Sequence, residues 1–189
     1  MPVLGYPIRT SRLLIRPWRA EEIDAYHALL GDPEVTRYLY RGPHSREQAR
    51  VALAGVRTEI EGEGLWMNLA VELAADAIVA GEVGIRWVSE EHRQAEISYM
   101  LLPAHRGVGY ATEAARAMVD VAFDQLGAHR VCGCLDARNA ASASVLERLG
   151  MRREAHLVEN EFIKGEWADE VIYGVLAREW RAVRGSAVA

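Results

Sequence analysis

The run Ala95-Glu96-Ile97-Ser98-Tyr99-Met100-Leu101, with His105-Arg106-Gly107-Val108-Gly109-Tyr110-Ala111 close behind it, constrains this chain more than any other segment. The first piece alternates as a strand does, Pro103 stops it, and an apolar-striped helix follows the two glycines. A strand feeding a glycine turn and then a helix aims unpaired backbone N–H groups, and the positive end of the helix dipole, at one point. Such a point suits an anion, most often a phosphate. The same glycines would also serve a plain tight connection through positive φ. Arg106 beside the turn, and Thr112 and Glu113 in place of bulky apolar residues, favour the anion. A dinucleotide fingerprint needs a third glycine or alanine at position 112, and a P-loop needs Lys-Ser/Thr after its last glycine; neither is present.

At 189 residues the chain has the length of one sizeable domain, residues 1–189, with enough apolar residues (50%) to bury a core without staples. Neither a leader-like N-terminal apolar run nor an apolar stretch of membrane length occurs, so no membrane association is expected and a cytoplasmic location is the default. A net charge of −5 argues against nucleic-acid binding through a broad basic surface. Acidic residues gather at Glu154, Glu159, Glu161, Glu166, Asp169 and Glu170, either as a solvated face or as an attractor for a cationic substrate. The six histidines lack ligand spacing, so no metal is assigned. Cys132 and Cys134 fall on one face of a strand and read as buried reduced thiols.

Along the chain, Ser11 to Trp18 reads as an opening strand and Glu21 to Leu30 as a helix, ended by Gly31-Asp32-Pro33. A short helical piece is expected at Glu34 to Leu39. Ser45-Arg46-Glu47-Gln48 is a capping-box signature for a helix reaching about Glu61. Leu65 to Leu73 and Ile78 to Val88 read as hairpin strands, with Ala95 to Leu102 as their neighbour. A helix from about Gly109 to Leu126 comes next, with a buried stripe of Ala111, Ala115, Met118, Val119, Ala122 and Leu126. Then follow a short strand (Arg130 to Leu135), a helix (Asn139 to Leu149) and, from Met151 to Trp180, two strands around Lys164-Gly165 with a helical tail. Gly185 to Ala189 are expected to fray.

With the glycine turn and Asn139-Ala140-Ala141-Ser142-Ala143-Ser144-Val145-Leu146-Glu147-Arg148-Leu149-Gly150 in view, the chain resembles the GNAT superfamily of acyl-CoA N-acyltransferases. The resemblance is nearest to its RimJ/RimL-like branch, which acetylates protein N-terminal amines, and it runs from Arg12 to Glu179. Glu161-Phe162-Ile163-Lys164-Gly165-Glu166-Trp167, with Asp169 and Tyr173, extends it. It implies a single-domain α/β fold: a mixed, mostly antiparallel twisted sheet flanked by helices, with splayed central strands. It implies acetyl-CoA as acyl donor, a primary amine as acceptor, and direct attack in a ternary complex.

By that resemblance the backbone of Arg106, Gly107, Val108, Gly109, Tyr110 and Ala111 holds the pyrophosphate, and the strand end at Met100 and Leu101 pairs with the pantetheine arm. A backbone N–H there would stabilise the oxyanion. Asn139 would hydrogen-bond the arm, although it is equally a favoured helix N-cap. Ser142 would face the thioester sulfur, where a hydrogen bond or water relay is chemically easier than outright proton donation. Glu161 matches the position of the general base, and Glu96 is the second candidate, with water as the remaining option. Tyr99 points opposite to Glu96 in a regular strand. Ser98, Met100 and Met151 depart from the common glycine, tryptophan and phenylalanine, and the first two, close to the implied acyl pocket, bear on acyl and acceptor selectivity. The acceptor is read as a peptide N-terminus, with a small amine such as an aminoglycoside or polyamine as the alternative. A non-catalytic acyl-CoA sensor is a further reading, and a dinucleotide oxidoreductase is disfavoured. Relatives in this family are often homodimers.

Overall fold

The computed structural model describes residues 4–186. One eight-stranded sheet organises them, in the spatial order β1-β2-β3-β4-β5-β6-β8-β7. Its strands are β1 (Ile8–Arg9), β2 (Leu13–Arg16), β3 (Met67–Leu73), β4 (Val79–Ser89), β5 (Gln94–Leu101), β6 (Arg130–Asp136), β7 (Arg152–Ile163) and β8 (Glu166–Leu176). Every pairing is antiparallel except β5 with β6. Most of β3 and β4 is buried, which requires helices on both faces of the sheet.

On one face lie α3 (Tyr110–Asp120), continued by a π turn at Val121–Gln125, α4 (Ala140–Arg148) and α5 (Ala177–Ser186). Their apolar stripes cover Ile85, Ile97, Leu101, Val131 and Leu135. On the other lie α1 (Ile23–Leu30) and α2 (Arg46–Ala54), packed on Ala70 and Val79 with Trp18. Of the stripe expected on the third helix, Ala115, Met118, Val119, Ala122 and Leu126 are buried and Ala111 is half-buried.

Two expectations change. Glu34 to Leu39 forms turns rather than a helix: the Thr36 amide donates to the Asp32 carbonyl (3.0 Å) as in one helical turn, but the Leu39 amide then donates to the Thr36 carbonyl (3.0 Å) in the tighter i→i−3 pattern and no helical ladder follows. The second helix starts on its capping box, with the Gln48 amide donating to Ser45 Oγ at 3.2 Å, but ends at Ala54 where Gly55 caps it, not near Glu61. The expected frayed end divides: Gly185 and Ser186 close α5, and 187–189 lie outside the described residues. No helix among the described residues is long and apolar enough to cross a membrane.

Candidate active site

Parallel pairing of β5 with β6 is confined to Gln94–Glu96 against Arg130–Cys132. Beyond that, β6 stays paired with β8 as far as Asp136, while β5 stays paired with β4 as far as Leu101. The sheet therefore opens between Ile97–Leu101 and Gly133–Asp136. Alternation decides which groups face the opening. The Leu102 amide donates to Ala80 at 2.9 Å, so along β5 the even-numbered residues exchange hydrogen bonds with β4 and the odd-numbered ones turn away from it. The main-chain groups of Ile97, Tyr99 and Leu101 thus face the gap. Those of Met100 face β4, a correction to the expectation that both Met100 and Leu101 present main-chain partners there. Met100 still lines the cleft, with its side chain packed toward the α1/α2 cluster.

At the end of β5 the chain turns at Pro103–His105 and enters α3 through Gly107 (φ 80°) and Gly109 (φ 91°), a conformation that glycine takes without Cβ strain. No side chain caps the α3 N-terminus. Its first N–H groups are therefore left to an external acceptor, which fits a diphosphate cradle. Arg12 braces the turn: Nη1 donates to the Val108 carbonyl (3.0 Å), Nε to Glu113 (2.7 Å), and the guanidinium stacks on Tyr110 at 4.7 Å. Burial would raise the Glu113 carboxyl, but hydrogen bonds from Thr10 (2.6 Å), Arg12 and Ser11 (2.9 Å) outweigh it and hold the group below its ordinary range. Arg106 is engaged by Glu34 at 2.6 Å and by the Leu101 carbonyl at 3.0 Å.

Arg106, Gly107, Val108, Gly109, Tyr110, Ala111, Met100, Leu101, Asn139 and Ser142 all line one cleft of about 1060 Å³. Asn139 is the N-cap of α4, its Oδ1 accepting from the Ser142 amide at 3.1 Å. Tyr99, on the α3/α4 face, places its hydroxyl 2.9 Å from both the carbonyl and Oγ of Ser142. Burial pushes the Tyr99 phenol well above its ordinary range. Two elements of the cleft escaped the sequence reading: the Arg12 brace, 96 to 101 residues from its partners, and the segment from Glu34 to Leu39, which lines the same cleft.

Glu161 and Glu96 do not line that cleft. Strand register puts both on the opposite sheet face, on either side of the gap, together with Cys132, Cys134 and Glu170. Glu96 is buried and held by Arg86 at 2.6 Å; burial raises its carboxyl and the guanidinium opposes that only in part. Glu161 is half-buried opposite Ala168 and forms no ion pair among the described residues. Glu170 accepts from Tyr40 (2.9 Å) and Asn160 (3.0 Å), and the Glu161 charge also acts on Tyr40. An amine reaching the gap from this side meets carboxylates.

A family model for the acetyltransferase (GNAT) domain matches residues 12–152. The chain belongs to the GNAT acetyltransferase family. It is 30% identical over 173 residues to an uncharacterised N-acetyltransferase, p20, of Bacillus licheniformis, covering 90% of this chain and 96% of that one. The spermidine N(1)-acetyltransferase of Escherichia coli K12 is 25% identical over 168 residues, covering 89% and 88%. Among solved structures, a GNAT-family acetyltransferase from Bacillus anthracis superposes with a TM-score of 0.83 at 29% identity, covering 90% of this chain and 98% of that one. This GNAT protein is an acetyl-CoA-dependent N-acetyltransferase, and its α/β sheet with helices on both faces is the family's fold.

Proposed function

We propose that this acetyltransferase modifies the α-amine of a peptide or protein N-terminus, as the RimJ/RimL-like branch does, and that it works in the cytoplasm. The observation that carries the reading is the gap between β5 and β6, with uncapped helix N–H groups on one side of the sheet and carboxylates on the other. Backbone N–H groups from Arg106 to Ala111 bind the diphosphate. The gap-facing main chain of Tyr99 and Leu101 orients the arm, and a Leu101 or neighbouring N–H meets the developing oxyanion. Asn139 contacts the arm while capping α4. Ser142, backed by Tyr99, hydrogen-bonds the departing sulfur.

Glu161 takes the ammonium proton through water, because Glu96 is already neutralised by Arg86. An α-amine, with an ordinary pKa near about 8, gives up that proton more readily than a lysine-like amine near about 10.4. The attack is direct, and the enzyme forms no covalent intermediate. A second reading, a polyamine acceptor, is favoured by the spermidine-acetylating relative and by the same carboxylates. Acetyl-CoA with parallel panels of basic-start peptides and polyamines, followed by thiol release and mass spectrometry, separates them. Peptide N-acetylation supports the leading reading. Transfer to polyamines alone overturns it.

A further inference from the structure

Two thiols and a carboxylate converge on the sheet face opposite α3 and α4, at the one place where β5 and β6 pair. Cys132 and Cys134 flank Gly133 on β6, so both side chains leave the same face. Parallel register sets Glu96 opposite Cys132. The two sulfurs and a carboxylate oxygen all lie within 4.8 Å of one another. Glu96 and Cys132 are buried and Cys134 is half-buried. Arg86 takes only one carboxylate oxygen, Oε2, through Nε (2.9 Å) and Nη2 (2.6 Å). Acetyl transfer as derived above uses neither thiol.

We propose that Glu96, Cys132 and Cys134 form a three-donor site for a soft divalent cation of the zinc class, with a fourth position left to solvent. Sulfur pairs with an oxygen in this way for zinc, whereas magnesium and calcium take six or more oxygen ligands. Bonds of about 2.3 Å to sulfur and about 2.1 Å to oxygen place tetrahedral donors roughly 3.5–3.8 Å apart. Closing from 4.8 Å to that spacing is a matter of side-chain rotation. Charge also balances: two thiolates and one carboxylate offset the cation and the Arg86 guanidinium. Arg86 acts as the outer partner that orients the carboxylate. Each cation bound displaces both thiol protons, so affinity rises with pH. Because Glu170 leaves β8 on the same face, two residues from Ile172 opposite Cys134, the bound cation would sit beside the carboxylates proposed to receive the amine. It would inhibit competitively against the acceptor and not against acetyl-CoA.

The test uses the full chain, reduced and metal-free. Titration with Co²⁺ should give a thiolate-to-cobalt absorption band that saturates at one equivalent and is displaced by Zn²⁺. Cys134→Ser and Cys132→Ser should each remove the band, and Glu96→Gln should weaken binding at least tenfold. One equivalent of Zn²⁺ should protect the half-buried Cys134 of the unmutated protein from iodoacetamide, mapped by mass spectrometry, so a variant that misfolds does not decide the question. An unsaturable signal, a band that survives Cys134→Ser, or alkylation unaffected by Zn²⁺ overturns the site. None of these readouts needs turnover, so they stand apart from the choice of acceptor.

Discussion

Glu82 shows how one side chain can carry a pH dependence for the whole protein. It is buried on β4 with the Trp18 indole N–H at 2.8 Å, and burial pushes its carboxyl up to about 7 from an ordinary 4.5. Between those values the folded protein binds a proton that the unfolded chain has released. Its contribution is therefore greatest below pH 4.5 and is lost as pH rises through 7. Glu82→Gln should remove this dependence, so the wild-type-minus-variant stability measured by urea unfolding should fall by on the order of 3 kcal/mol between pH 4.5 and 7, at 1.36 kcal/mol per unit. A difference curve with no slope between pH 4.5 and 7 would contradict this. Tyr99 makes a second case. Tyr99→Phe should cost about 1 kcal/mol of stability and lower kcat about tenfold with little change in the KM of acetyl-CoA. Since its hydroxyl works through Ser142, Tyr99→Phe combined with Ser142→Ala should be no slower than the worse single variant. Additive losses in a double-mutant cycle would separate the two roles.

At the level of elements, alternation and caps made most of the fold legible. Glycines at 127, 150 and 165 end or turn segments where expected, each with positive φ. What stayed hidden depends on register between distant strands. Nothing in Gln94–Leu101 or Arg130–Asp136 alone announces that they part after three pairs, so the gap was expected only through the family resemblance. The same parallel pairing brings Glu96 to the two cysteines across some thirty-six residues, which is why the cysteine spacing by itself suggested no ligand set. In turn-forming Glu34 to Leu39, Val35, Tyr38 and Leu39 mimic the spacing of a helical stripe. From sequence Asn139 suits both a cap and a cofactor contact, and the structure gives it the cap directly. Substitution can separate the two. Asn139→Ala should lose about 1 kcal/mol with the cap. Asn139→Asp keeps an acceptor for the Ser142 amide, so thermal unfolding should be near wild type while its charge raises the KM of acetyl-CoA. Equal KM values for wild type and Asn139→Asp would leave the residue a cap alone.

Across the whole molecule, the segment from Glu34 to Tyr40 links the glycine turn to the carboxylates beyond the gap. Glu34 holds Arg106 beside the phosphate turn at 2.6 Å, Lys164 at the β7–β8 tip donates to the carbonyls of Thr36 (2.6 Å) and Arg37 (3.0 Å), and Tyr40 donates to Glu170 at 2.9 Å. A diphosphate arriving at the turn competes with Glu34 for the same guanidinium, and phosphate is the better bidentate partner. Releasing Glu34 takes one anchor from a segment whose other anchors shape the acceptor wall. On the proposed reading, donor binding would thereby be coupled to the far side of the sheet, and such coupling is reciprocal in binding free energy. Glu34→Gln removes the competitor without removing the arginine. It should tighten acetyl-CoA severalfold and weaken the benefit that a bound acceptor and donor confer on one another, both read by calorimetric titration of each ligand with and without the other. Because the Glu34 carboxylate is 63% exposed, the pair itself adds little to stability, and unfolding of the variant should be unchanged within about 0.5 kcal/mol. Weaker acetyl-CoA binding in Glu34→Gln would mean that the carboxylate positions Arg106 for the diphosphate instead of competing with it, and the coupling would then run in the opposite sense.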